Sequence, residues 1–518
     1  MWLIQAFGSG LLTMRFGRQW KGGAVAVAVA LTSAACSLLL DHDATQCHSS
    51  ADCARTGTRL ICLAGVCAPA GDAGAGAAAG PPGCFSGTPT TLSEFLNQCT
   101  MADYDTSFDD CARLGLCGPD AAGPALVPPP DAGTAMAVIP PPVPVETCQD
   151  PVMRPSVVYL NGSSNFIPLL QRLAPLLADA GVTPVFQQTN SCAAVRSMYG
   201  GASQRIMKDP ATTGTGNYAQ YYPTDGSPPQ PCLLGSGGVT TDIGESEIFA
   251  STCSMGPVPG IAEFFGPIET MVFAVPKGSS ENAITAAAAR EVFGLGDSAN
   301  NRATPWTDPR YYYVRNQNTA TQQMMSHAIG VPADMFWGID QGSAQNVQGS
   351  LHIVPPAQYD SAIGILGTDF YERDSGNLKA LAFRATGQTA AYLPDSTAKA
   401  RDKRNVRDGH YPIWGPLHFF TTDPPSTNAG TFLSPLAAAS LSADILNAYV
   451  QSSFVPDCAM MVQRASELED IQSYTPPSSC RCFFESTVPG GVTPPDCQAC
   501  VTDGDCPNAK TCHAGFCE

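Results

Sequence analysis

Apolar and polar positions fall into alternating blocks between Arg154 and about Val455. Ser156-Val157-Val158-Tyr159-Leu160 is an apolar run of strand length, followed by the turn Asn161-Gly162-Ser163-Ser164. Phe166 to Leu177 carries its apolar residues at helical spacing, although Pro168 and Pro175 interrupt it. Thr183 to Gln187 predicts a second strand, and Thr189-Asn190-Ser191 turns into a helix from Cys192 to Tyr199. Further strands are predicted at Met271 to Val275 and Ser350 to Val354, with a helix from Ala283 to Phe293. The aromatic and β-branched run Tyr311 to Val314 predicts a strand that ends in Arg315, and Thr321 to Ile329 predicts the helix after it. Strand–helix alternation of this kind means an α/β sheet, in which ligands sit at the carboxyl ends of strands.

The Arg315 segment is the first candidate for chemistry. Thr319 and Thr321 fall at the N-terminus of the predicted helix, where backbone N–H groups lack partners and the macrodipole is positive. Two hydroxyls and a guanidinium at such a place make a site for a small oxyanion. The plainer reading is a capping Thr beside a surface Arg. Three earlier strand-to-helix turns also hold hydroxyls or carboxylates: Gly162-Ser163-Ser164-Asn165, Asn190-Ser191 and Asp242-Ile243-Gly244-Glu245-Ser246-Glu247. Any one of the four suits ordinary capping, and their succession points to a shared site.

Composition narrows the partners. Charged residues make up 14% of the 518, well below the usual quarter, while Gly (49) and Pro (45) are abundant and point to linkers. A net charge of −18 with no basic cluster excludes nucleic acid as a partner. It does not exclude an anion ligand, because a pocket has its own local field.

Twenty-one cysteines in one chain imply an oxidising compartment. The N-terminus agrees: Met14 to Lys21 is a basic region, and Ala24 to Leu31 is an apolar stretch too short to span a bilayer. Ser33-Ala34-Ala35-Cys36 then resembles a bacterial lipobox, with Ser33 where Leu is usual. Residues 1–35 are therefore expected to be a signal peptide and Cys36 the lipidated residue, which leaves an even number of cysteines for disulfides; cleavage without lipidation after Ala35 is the alternative. Ser37 after the lipid Cys favours the outer membrane in the usual sorting rule, with the inner membrane left open.

The remaining organisation follows from cysteine spacing and linkers. Residues 36–69 form a Cys-rich unit, Cys47-x5-Cys53-x8-Cys62-x4-Cys67; an Ala/Gly/Pro linker covers 70–83. A second Cys-rich segment, 84–117, carries Cys84, Cys99, Cys111 and Cys117, with helical spacing from Thr91 to Cys99. A Pro-rich linker, 118–153, leads to the main domain at 154–455. The tail, 456–518, repeats the first unit: Cys62-Leu-Ala-Gly-Val-Cys67 matches Cys512-His-Ala-Gly-Phe-Cys517. Disulfide knots are the expected role, and zinc at Cys497-x2-Cys500 is the lesser one. Cys192 and Cys253 lie just after two of the four turns and are placed to staple them, with Cys232 pairing elsewhere; buried free thiols are the alternative.

At these turns the sequence resembles the type II periplasmic solute-binding proteins, specifically the phosphate-binding component of ABC importers, over about Ser156 to Thr422. The Gly-hydroxyl turn of that family matches Gly162-Ser163-Ser164, and its second-turn Ser matches Ser191. Its Asp-x-Gly-x-Ser-Asp motif matches Asp242 to Glu247 except at the last position. Its Arg-x3-Ser-Gly-Thr matches Arg315-x3-Thr319-Ala320-Thr321, with Thr for Ser and Ala for Gly. Phe293-Gly294 and Trp306-Thr-Asp308-Pro309, which lead into this Arg, match as well.

The resemblance implies a two-lobed α/β fold with a hinge and disulfide-rich appendages at both ends. It implies that Ser163, Ser164, Ser191 and Glu247 bind from one lobe and Arg315, Thr319, Ala320 and Thr321 from the other, so that an anion pulls the lobes shut. Glu247 would accept the proton of hydrogen phosphate and repel fully deprotonated sulfate. Glu for Asp and Ala for Gly widen the expected ligand from phosphate to a similar small oxyanion. The expected protein is a monomeric, lipid-anchored receptor of the cell envelope, periplasmic or surface-exposed, with no cofactor or metal. Its expected partner is an ABC permease. A structural or adhesive surface protein reusing the fold is the alternative.

Two other features bear on chemistry. The charge-dense run Tyr392 to Trp414 reads as a salt-bridged surface loop, with a docking or pocket-rim loop as the alternative. There is no HExxH and no GxSxG, and nothing places His410 beside Ser163 or Ser191 as a nucleophile pair, so the chain is not expected to be an enzyme.

Overall fold

The structure is a computed structural model that describes residues 60–63, 66–69, 80–107, 114, 124–130, 143–210, 218–437, 441–467, 471–507 and 510–518. The expected signal peptide, Cys36, Cys47, Cys53, Cys111, Cys117 and most of the Ala/Gly/Pro linker lie outside the described residues. Two units separate at Ala75/Gly76. The first holds an antiparallel hairpin, Leu60–Leu63 with Val66–Pro69, in which Cys62 faces Cys67 in register.

The second unit carries the α/β body. Strand β1 (Val157–Gly162) leads to helix α1 (Ile167–Leu176), and β2 (Thr183–Gln188) leads to α2 (Ser191–Tyr199). Next come β3 (Ala219–Tyr221), β4 (Gln230–Cys232), β5 (Ile243–Ser246) and the long β6 (Ile261–Pro276). Helix α3 (Ala286–Leu295), β7 (Tyr312–Val314), α4 (Ala320–Ile329), β8 (Ile339–Asp340) and α5 (Ala344–His352) follow. The body ends with β9 (Ile363–Gly367), α6 (Thr368–Arg373), β10 (Leu378–Ala380) and β11 (Trp414–Thr422). The strands form one 11-stranded path, β8-β7-β9-β6-β11-β5-β1-β2-β3-β4, with β10 also on β6.

Two strands join the halves of this path. The first half of β6, Ile261 to Phe265, pairs antiparallel with β11, whose other edge carries β5 and through it β1 and β2. A bulge breaks the β6 register between Phe265 and Ile268, after which Met271 to Ala274 pair with β9. Bulges turn a strand and raise its twist. The body is therefore two α/β lobes, β1–β5 and β7–β10, joined by the paired strands β6 and β11.

Capping explains where the site-facing helices start. Asn190 accepts from Ala193 N at 2.8 Å, Thr319 from Gln322 N at 3.5 Å and Ser343 from Asn346 N at 3.2 Å.

Two local expectations are corrected. Ser350 to Val354 is not a strand: Ser350, Leu351 and His352 end α5, and the strand of this region is β9. Ala344, Val347 and Leu351 are buried at helical spacing behind the Ser343 cap, and a short apolar run alone does not distinguish the two states. The first residues of the Ala283 to Phe293 helix are a short strand, Ala283–Thr285, because Thr285 caps α3 by accepting from Ala288 N.

The run Tyr392 to Trp414 is also corrected. It is salt-bridged but not a surface loop: Lys403, Asp395, Asn405, Arg407 and His410 are all buried. Glu372 and Glu485, brought from elsewhere in the chain, pair with Lys403 and Arg407.

The appended segments pack onto the body. Phe95, from the helix Leu92–Leu96, and Leu114 lie in the main core, and Tyr104–Asp105 pairs with Ala391–Tyr392. Trp337 Nε1 donates to Val127 O at 2.7 Å. Disulfides join Cys148 to Cys232 and Cys192 to Cys253. In the tail, Cys458 pairs with Cys480, Cys482 with Cys497, Cys500 with Cys512 and Cys506 with Cys517. Cys497 and Cys500 thus belong to separate disulfides. Among the described residues no helix is long and apolar enough to cross a membrane.

Candidate functional site

The four turns meet at one buried place between the lobes. The first begins at Gly162, where a Cβ would lie 2.2 Å from Glu245 Oε2; only glycine lets the strand end this close to that carboxylate. Ser163 N donates to Glu245 Oε2 at 2.9 Å, and Ser164 Oγ accepts from Ala344 N at 3.4 Å at the start of α5. At the second turn, Ser191 Oγ donates to Glu247 Oε2 at 2.7 Å and accepts from Ala320 N at 3.0 Å. One hydroxyl thereby ties the first turn of α2 to the carboxylate after β5 and to the N-terminus of α4 on the opposite lobe.

The fourth turn supplies the cation. Arg315, at the end of β7, is 2% exposed. Its backbone N donates to Gln322 Oε1 and its Nη2 to Gly342 O, while Nε and Nη1 have no partner. Thr321 Oγ1 accepts from Asn165 Nδ2 at 3.3 Å and Cys192 N donates to Asn318 O, two further bonds across the lobes. Thr319 spends its hydroxyl locally, donating to Asn316 O at 2.8 Å and capping α4. Ser163, Ser164, Ser191, Glu247, Arg315, Thr319, Ala320 and Thr321 are all buried here.

Three acidic residues outside the predicted binding set share the place: Glu245, which lies within the third turn, Glu269 and Asp369, each buried. Glu245 carried a signal. It stands two residues before Glu247, and alternation along a strand sends both side chains to one face. Glu269 breaks an otherwise apolar stretch of β6, and Asp369 stands two residues after a buried strand, in the helix start that follows it. Asn165, beside Ser164, was quoted within its turn but given no role.

Burial dominates the electrostatics. It pushes the Glu245 carboxyl well above the usual carboxylate range, and the Glu247 charge adds to this. Glu269 is pushed well up by burial and then by Glu247, Asp369 and Glu245. Burial raises Asp369 to about 7 against the pull of Arg373. Glu247 is raised by burial, with the Ser163 and Ser191 hydroxyls and Arg315 opposing. Arg315 is lowered by burial to about 10, with Glu247, Asp340 and Glu269 holding it up. The arrangement offers donors from a guanidinium and from helix N-termini, beside carboxyls that burial favours in the neutral, donating form.

His410 takes no part. It contacts Asp408 Oδ1 at 2.6 Å and Gln98 O at 2.6 Å, and neither Ser163 nor Ser191 has it as a partner.

No protein-family model matches the chain, and no curated protein matches it. Solved structures do. A chain assigned as a phosphate ABC transporter substrate-binding protein, with bound phosphate, from Clostridium perfringens is 12% identical with a TM-score of 0.40, over 58% of this chain and 99% of that one. An ABC-type phosphate transport receptor from Vibrio cholerae is 12% identical with a TM-score of 0.36, over 58% of this chain and 100% of that one. PstS from Borrelia burgdorferi is 13% identical with a TM-score of 0.30, over 58% and 98%. The chain's own strand order defines its fold: two α/β lobes joined by the paired strands β6 and β11.

Proposed function

We propose that this chain binds phosphate or a similar small oxyanion between its lobes. In this reading it is an exported, Cys36-anchored, monomeric lipoprotein of the cell envelope that serves as the substrate-binding component of an ABC importer. The observation that carries the reading is Arg315, a guanidinium at 2% exposure whose Nε and Nη1 have no partner in the protein. A buried cation of this kind is costly unless an anion completes it. The starts of α2, α4 and α5 converge beside it and supply the positive ends of helix dipoles. Ser163, Ser164, Ser191, Glu247, Thr319, Ala320 and Thr321 are the accompanying residues, Thr319 through its cap rather than through a free hydroxyl.

One observation favours the structural or adhesive reading. Ser163 N and the Ser191 hydroxyl already donate to Glu245 and Glu247, so internal carboxylates occupy donors that an anion would use.

Titration calorimetry of the mature chain with phosphate, arsenate, sulfate and a phosphonate separates the two. Saturable phosphate binding that Arg315→Ala abolishes supports the receptor. A folded chain that gives no heat with any anion overturns it and leaves the surface protein. Anchoring is tested apart from this: Cys36→Ser should release the chain from the membrane fraction.

A further inference from the structure

We infer that Glu245, Glu269 and Asp369 are further ligand-binding residues of this site, each presenting a carboxyl O–H, so that the oxyanion is captured together with protons from solvent. The inference rests on the oxyanion reading and specifies the form in which the ligand is held.

The geometry puts unpaired oxygens where the ligand would lie. Gly367, at the end of β9, has no side chain. A Cβ there would meet Glu269 Oε1 at 2.5 Å, Asp369 Oδ1 at 2.9 Å and Asn165 Nδ2 at 3.5 Å. Strand β6, the start of α6 and the first turn therefore pack together at one spot, an approach that a glycine there permits. Both Glu269 oxygens lack a partner, as do Asp369 Oδ1, Glu245 Oε1 and Asn165 Oδ1. The other oxygens are held: Glu245 Oε2 by Ser163 N, and Asp369 Oδ2 by Arg373 at 3.1 Å. Buried polar atoms in native proteins nearly always find a partner, so a group of unpaired ones, with Arg315 near enough to act on Glu269, marks a site completed by something else.

The charged groups facing these carboxyls are few. Glu247 faces Glu245 from the residues after β5. Arg315 faces Glu269 from β7, together with Glu247, Glu245 and Asp369. Arg373 and Glu372 face Asp369 from its own helix. Opposite Glu269 on β11 stands Gly415, which brings no charge. Four ionised carboxylates, at Glu245, Glu247, Glu269 and Asp369, would outnumber the two guanidiniums, Arg315 and Arg373, and repel any anion. Protonated, the same groups become donors that an oxyanion can use. Burial already favours the protonated form of all three, Asp369 up to about 7.

A divalent cation would be the other way to neutralise the cluster. Among the described residues, however, these carboxyls form no group that could hold a metal ion. A hard cation needs a closer and more numerous set of oxygens.

The test is calorimetry of the mature chain with inorganic phosphate and with sulfate at about pH 5.5, 7 and 8.5, in buffers of different ionisation enthalpy. Sulfate carries no proton of its own in this range, so protons taken up with it belong to the protein. The expected result is uptake of about one proton or more per anion at the higher pH values, and affinity that weakens by about tenfold or more from pH 5.5 to 8.5. Glu269→Gln and Asp369→Asn, with thermal unfolding to establish that they fold, should each lower the uptake and flatten the pH slope. Anion binding with no proton uptake, or uptake that none of the variants changes, overturns the inference while the oxyanion reading stands. Absence of binding by every anion at every pH overturns both. Calcium or magnesium binding that Glu269→Gln removes would assign the cluster to a cation and also overturn the inference.

Discussion

Lys403 and Arg315 are both buried cations, and their surroundings teach different things. Lys403 Nζ sits between Asp395 Oδ1, at 2.9 Å, and Glu372 Oε1. Further bonds hold both carboxylates: Ser453 Oγ donates to Glu372 Oε2, and Lys403 N donates to the same Asp395 Oδ1. Burial alone would depress the Lys403 amine, but Asp395 and Glu372 hold it above its ordinary value. Arg315 has no such partners, and burial lowers it. A buried charge that the fold completes belongs to the scaffold. One that the fold leaves incomplete, among other incomplete groups, marks a candidate site.

The comparison breaks most sharply at Lys403. Lys403→Met should strand Asp395 and Glu372 as unpaired buried carboxylates and cost ~3–5 kcal/mol of stability in urea denaturation. A loss no greater than for a surface lysine would mean that the network is not part of the scaffold. Arg315→Ala should behave the other way: phosphate affinity falls by about a hundredfold or more, while the unfolding midpoint moves far less than for Lys403→Met. Equal losses of stability in the two variants would erase the distinction between them.

The pH dependence sharpens the site half. Asp369 titrates near 3.8 as a free side chain and at about 7 in the fold, so between these values the folded chain holds a proton that the unfolded chain has released. Its stabilising effect is therefore complete below the lower value and lost as pH rises through the upper one; Glu245 and Glu269 act in the same direction. Urea denaturation across this range should show stability falling toward neutral pH, and Asp369→Asn should flatten the fall by about 1–3 kcal/mol. A stability that rises over the same range would show the carboxyls ionised. The smallest effect is expected at Ser191→Ala, which removes the acceptor for Ala320 N and the donor to Glu247. It should cost about 1 kcal/mol of stability and weaken anion binding. An unchanged calorimetric profile would remove this hydroxyl from the site.

Much of the site was legible in the sequence because its signals are local. Each candidate turn pairs a strand end with a capping or hydroxyl residue, and the spacing from Arg315 to Thr321 holds a cation at a helix start. The placement of Cys192 and Cys253 after two such turns also anticipated a staple that the structure contains. Periodicity and capping act over a few residues, so the sequence by itself determined the strand–helix alternation and the four turns. It did so less well where a short apolar run served either state, as at Ser350 to Val354.

Charge burial was decided elsewhere. Nothing near Lys403 in the sequence shows that Glu372 will complete it, and nothing near Glu269 shows that Asp369 and Asn165 will close on the same glycine. Those neighbours come from distant strands and helices. Whether a carboxylate keeps its charge depends on the water they exclude and the partners they bring, and so only the tertiary structure set apart the paired charges of the scaffold from the unpaired ones of the site.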